Sequence, residues 1–143
     1  MRLLQLTNTA VGAVAVDALL PLGAITRKYC CGTQGQNTFA VSTTGANTIT
    51  INDTGYYRVT YVGSLTTAAG TLVLNLLVNG VVVETVTQTV ATGTNNVALD
   101  YIVRVLPNCA SLPYNAPLTI QIENDATSVG ITGGTSNIIV EKL

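Results

Sequence analysis

The chain has 143 residues, which suits one domain able to bury its own core. Apolar residues make up 48% and charged residues only 9%, against ~25% in ordinary soluble domains, and the net charge is −1. The six cations are scattered and form no phosphate-neutralising run, and no apolar stretch reaches the ~18 residues of a transmembrane helix, so neither nucleic acid nor membrane insertion is expected.

Leu3 to Leu6 reads as a first strand. Ala10 to Leu20 is Ala/Val-rich and fits no single period, and Pro21-Leu22-Gly23 ends it in a turn. Met1-Arg2-Leu3-Leu4 followed by Ala10 to Val16 has the outline of a signal peptide. Gln5, Thr7, Asn8 and Thr9 interrupt the apolar region and Asp17 follows at once, so no signal peptide is expected. Ile25 to Cys31 is a second strand and residues 32–37 are a loop. Phe39-Ala40-Val41 is a short strand, Thr44 to Asn47 turns, and Thr48 to Ile51 alternates polar and apolar. Asp53-Thr54-Gly55 turns again, and Tyr56 to Leu65 is a long strand with Tyr57, Val59 and Tyr61 on one face.

Two apolar runs, Leu72 to Val78 and Val81 to Val86, flank Asn79-Gly80. A two-residue type I′ turn needs φ > 0 at both positions, which Asn and Gly tolerate best, so a β-hairpin is expected here. Val97 to Leu106 alternates strictly and puts Asp100 and Arg104 on the face opposite Val97, Leu99, Tyr101, Val103 and Val105. Residues 107–117 form a loop with three prolines. Leu118 to Ile122 is a strand, Asn124-Asp125 turns, and Val129 to Ile131 is a further short strand. Gly133-Gly134 reads as a tight turn, and Ile138-Ile139-Val140 is the last strand. About ten short antiparallel strands and no helix define an all-β sandwich or jelly roll, one domain over residues 1–143.

The chemistry is sparse. The chain has no histidine, which removes the commonest general base, the Ser-His-Asp and Cys-His nucleophile systems and the commonest metal ligand. Of the seven acids only Glu123 and Asp125 are close in sequence. Glu123-Asn124-Asp125 offers oxygens to Ca²⁺ but lacks the alternating ligand spacing and closing Glu of a dedicated loop, so it reads as a polar turn. No catalytic residue, metal or cofactor is expected. Cys30, Cys31 and Cys109 leave three states open: free thiols, one disulfide, or an incomplete metal site. The aromatic and branched residues Tyr57, Tyr61, Tyr101, Ile122 and Ile139 are candidates for the core or a subunit interface. Tyr114, in the Pro-rich loop, is the candidate for an exposed contact. Arg58 and Arg104 sit mid-strand, either on a solvent face or in an ion pair with Asp100 or Glu123 that fixes the register of an assembly.

The segment Ile49-Thr50-Ile51…Asp53-Thr54-Gly55-Tyr56-Tyr57-Arg58-Val59-Thr60-Tyr61 resembles the Gly-x-Tyr strand of C1q/TNF-like jelly rolls, and Gly130-Ile131…Ile138 to Leu143 resembles their last strand. The opening Leu4 to Ala10, with Cys30-Cys31-Gly32 and Asn108-Cys109, is similar to small proteins from phages and prophages of Gram-positive gut bacteria. No Gly-X-Y collagen tract accompanies them. The resemblance implies a homotrimer around a three-fold axis, with apical loops meeting partners. It implies a non-enzymatic virion protein, a capsid decoration or head fibre bound to other virion components and located in the virion. A tail-tip knob binding a host surface glycan through loops 32–37, 107–117 and 132–136 is an alternative, and a bacterial surface or spore-coat protein is another. The phage resemblance also keeps a Cys31–Cys109 disulfide in view.

Overall fold

The computed structural model describes residues 2–29, 38–107 and 116–143. Ten strands run in chain order: β1 (Leu3–Asn8), β2 (Ala24–Tyr29), β3 (Phe39–Val41), β4 (Ile49–Ile51), β5 (Gly55–Thr67), β6 (Gly70–Val78), β7 (Val81–Val90), β8 (Gly93–Val105), β9 (Leu118–Asn124) and β10 (Ile131–Lys142). They form two five-stranded antiparallel sheets, ordered β2-β1-β10-β5-β8 and β3-β4-β9-β6-β7. This is a jelly roll: consecutive strands repeatedly cross between sheets, and the first strand lies beside the last. The Asn79-Gly80 hairpin is present as read, with φ of 50° and 80° at the two turn residues joining β6 to β7.

Period-2 alternation decides which side chains face inward. On β5, Tyr57, Val59, Tyr61 and Leu65 are fully buried, while Tyr56, Arg58 and Val62 point outward. The same alternation on β9 buries Leu118, Ile120 and Ile122. Leu4, Leu6, Phe39, Ile49, Ile51, Leu74, Leu76, Val103, Ile138 and Val140 complete one continuous core between the sheets. Phe39 meets Tyr57 edge-to-face, with ring centroids 6.0 Å apart. Each fully buried Leu, Ile or Val side chain contributes about 1.5–3 kcal/mol, so this layer outweighs any surface contact in the molecule.

Residues 9–23, ambiguous in the sequence, form a strap that closes one end of the sandwich. The strap bonds first to the start of β10, with Val11 and Val14 amides donating to the Gly134 and Ile131 carbonyls. It then crosses to β9, with Asp17 and Leu20 amides donating to Asn124 and Ile122. Val11, Val14, Leu20 and Leu22 drop into the core. Buried Asn124 pins the strap and the following loop from below, donating to the Ala15 and Val129 carbonyls. We call this end apical. At the opposite, basal end Arg2 and Lys142 converge on Asp53, and the Tyr57 hydroxyl donates to the Asp53 carbonyl at 3.0 Å. Burial, with Arg2 beside it, pulls the Lys142 ammonium below its usual pKa.

The expected turn at Gly133-Gly134 is absent: β10 runs unbroken from Ile131 to Lys142 along β5, with a register irregularity between Ile131 and Gly133. The expected short strand at Val129 to Ile131 is the approach to it. Pairing with a long neighbouring strand overrides local turn preference, and Gly134 serves a close backbone approach instead. Gly134 has φ of 126°, and a Cβ there would overlap the Ser64 carbonyl oxygen, whereas a Cβ on Gly133 meets nothing within 4 Å. Gly134→Ala is therefore expected to destabilise the fold by about 2–4 kcal/mol, and Gly133→Ala by less than ~1 kcal/mol. Urea denaturation of the two variants checks this, and equal losses would contradict the assignment.

Candidate assembly interface

The outward face of the sheet β2-β1-β10-β5-β8 is broad, and it is built from rows of directly paired residues. The most basal complete row is Leu3, Glu141, Arg58 and Ile102, the next Gln5, Ile139, Thr60 and Asp100, the next Thr7, Asn137, Val62 and Ala98. Toward the apical end follow Thr135, Ser64 and Asn96, and then Thr66 and Thr94. Strand alternation sends these residues out because their neighbours fill the core. The apolar members are open to solvent: Ile102 is 55% exposed and Val62 46%.

Polar groups on this face satisfy one another within the chain. Gln5 Nε2 donates to Asn137 Oδ1 at 3.0 Å, and Ser64 Oγ to Asn96 Oδ1 at 2.7 Å. Arg58 forms a two-point bridge to Asp100, Nε to Oδ1 at 3.1 Å and Nη2 to Oδ2 at 2.7 Å, and Thr60 adds a third donor. The Arg58 hydrogen bonds hold the Asp100 carboxyl below its ordinary pKa, and the same contact raises that of the guanidinium. Arg104 lies over the Tyr56 ring, 5.6 Å from its centroid. Of the partners expected for the two mid-strand arginines, the structure supplies Asp100 for Arg58, whereas Arg104 lies over an aromatic face instead of an acid and Glu123 accepts from Asn75.

Beside this face the free edges of the two sheets approach each other. Near the apical end β7 and β8 touch, and Gln88 Nε2 donates to the Asn96 carbonyl at 3.0 Å. Farther down, the β6–β7 register shifts between Leu76 and Leu77, placing a bulge at Val83. A cleft of about 250 Å³ opens there, lined by Val83, Tyr101, Ile102, Val103 and Arg104. A bulged edge strand twists away from its neighbour, which accounts for the gap.

The other candidate residues separate cleanly. Tyr57, Tyr61 and Ile122 are core residues with no exposed surface. Burial pushes the Tyr61 phenol up to about 12. Tyr101 is half-buried at the cleft and Ile139 half-buried on the outward face. Cys30, Cys31, Cys109 and Tyr114 lie outside the described residues, as do loop 32–37 and positions 108–115 of the Pro-rich loop. Residues 132–136 belong to β10 and are not the loop expected of a ligand-binding apex. Glu123 and Asp125 point away from the core and share the Asn75 amide, at 3.2 and 2.8 Å, while alternation turns Asn124 inward. The three oxygens therefore do not converge, and among the described residues no three acids or cysteines form a metal-binding group. Sequence reasoning passed over Val62, Ala98 and Ile102 as surface features, although their alternation with core positions signals their direction.

The fold and this face define an all-β jelly roll of the C1q/TNF type. No family model matches the chain, and no curated protein matches its sequence. Solved structures match along its whole length. The globular domain of zebrafish complement 1qA protein is similar with a TM-score of 0.69 and 10% identity, covering 100% of this chain and 98% of that one. PRD1 vertex protein P5 is similar with a TM-score of 0.64 and 17% identity, covering 99% and 96%. Eiger TNF from S. frugiperda gives 0.66 and 10%, covering 100% and 94%.

Hydrogen bonds from Thr127, and then from Asn75, hold the Asp125 carboxyl at about 2. In the unfolded chain it titrates near ~3.9. Its stabilising contribution is thus complete above about pH 4 and is lost as the pH falls toward 2. The urea midpoint of Asp125→Asn is expected to fall less steeply than wild type across that window. Parallel curves for the two proteins would count against this assignment.

Proposed function

We propose that the protein is a non-enzymatic structural component of a phage virion, a capsid decoration or head fibre that works as a homotrimer. The observation that carries this reading is the outward face of the sheet β2-β1-β10-β5-β8. It exposes Val62 and Ile102 beside half-buried Ile139, and its Arg58–Asp100 pair is neutralised within the chain. Above its basal charged rows such a face loses little on leaving water, which suits it to a second copy of the same chain. A chain with 9% charged residues also has little repulsion to keep copies apart. The trimer is what the C1q/TNF resemblance implies, and the full-length likeness to PRD1 vertex protein P5 supports the virion setting; a gut-bacterial phage as source rests on the sequence resemblance of Leu4 to Ala10 and the Cys-Cys-Gly segment alone.

Three of the seven carboxylates support a structural use. Asp53 is held by Arg2 and Lys142, Asp100 by Arg58, and Asp125 by Thr127 and Asn75. A pair of facing carboxylates for hydrolysis needs groups free to exchange protons, and these three are committed elsewhere. The mechanism of the protein is then assembly: copies bury the low-charge face, and the trimer docks on a larger symmetric particle.

Light scattering is expected to give a mass near three times the 14.8 kDa chain. The trimer should co-sediment with purified capsids of its phage and not with capsids that already carry it. A single-chain mass at all concentrations would overturn the trimer. Binding on a glycan array without capsid association would replace decoration by a tail-tip knob.

A further inference from the structure

We infer that the Arg58–Asp100 bridge is the register lock of the assembly, making copies pack side by side with their basal ends together. This rests on the copy-to-copy use of the face proposed above. The charges of that face are not spread evenly. Glu141, Arg58, Asp100 and Arg104 all lie in its basal rows, and Arg27, opposite Gln5 on the β2 edge, joins them. The rows from Thr7 to Thr94 carry no ionisable group. Arg58 and Asp100 are still about half exposed, at 48% and 49% of their side chains, so a neighbouring copy would complete their burial.

The lock works by penalising the alternatives. A copy slid along the face, or turned end for end, sets this ionic band against threonine, valine and alanine, where guanidinium and carboxylate lose water and gain no partner. A parallel copy in register sets band beside band, so the remaining guanidinium N–H groups of Arg58 meet carboxylates across the contact. Apolar and hydroxyl rows alone do not distinguish neighbouring registers. A polar group in an apolar contact supplies that discrimination while adding little affinity.

The test compares wild type with D100N, R58M and the double variant R58M/D100L. Each single change leaves an unmatched charge in the contact and is expected to raise the trimer dissociation constant at least tenfold by sedimentation equilibrium. The penalty should shrink at high salt. R58M/D100L is expected to associate as tightly as wild type or more tightly, while its amide NMR spectrum splits into several sets where symmetric wild type shows one peak per residue. Dilute single-chain thermal midpoints within a few degrees of one another establish that the variants fold. Dissociation constants within twofold of wild type, or a single set of peaks for the double variant, would overturn the lock and leave the trimer standing. A wild type that never associates overturns both.

Discussion

The whole molecule depends on one hydrocarbon layer shared by two sheets. β1, β4, β5 and β9 alternate in burial, and on them a slip of one residue would exchange the two faces, whereas β6 is buried on both. On β5 such a slip would bring Arg58 inside and put Tyr57 and Tyr61 in water. The cost of that exchange is many times the worth of the Arg58–Asp100 bridge, since exposed ion pairs contribute at most ~1 kcal/mol. Register is therefore set by the core, and the polar ladders on the outside follow it.

This order of strengths explains how a chain with so few charges arranges them. The core needs none, so the charges go to the rim and the ends. Arg2, Lys142 and Asp53 meet where the first and last strands come together, and the backbone there is joined twice more, by Lys142 donating to the Arg2 carbonyl and Leu143 to that of Tyr56. On the outward face, threonine, serine, asparagine and glutamine pair across strands and keep the surface polar without making it charged. That is the composition of a surface able to meet water in a free chain and a neighbour in an assembly.

Local signals were the legible ones. Asn79-Gly80 specifies its own turn through two positive φ values, and the alternation from Val97 to Val105 specifies which side of β8 is wet. Both need only residues close in sequence. The strap from residue 9 to 23 was not legible, because Val11, Val14, Leu20 and Leu22 have no regular spacing, and the first three dock on strands more than a hundred residues away. Gly133-Gly134 misled for a related reason: a pair of glycines announces a turn locally, whereas here Gly134 admits a neighbouring backbone. The candidate interface was half legible. Arg58 stood out as a charge on an apolar strand, but Tyr57 and Tyr61, the most conspicuous residues nearby, serve the core. Only the pairing of β5 with β8 shows that Val62, Ala98 and Ile102 lie together.

Strand order also governs the moment at which the protein can become itself. β1 pairs with β10 from Leu3↔Glu141 to Asn8↔Ser136, so the first strand finds its inner partner only after the eight strands between them have been made. β5 likewise waits for β10 before its second edge is covered. The β6–β7 hairpin can close as soon as it is made, but the sandwich must wait for β10. Contacts between distant segments form slowly, and until they form, the apolar strand edges stay open to other nascent chains. A gene translated in many copies at once thus places its unfinished chains where they can mispair, and the arrival of β10 becomes the step that sets how much usable protein results.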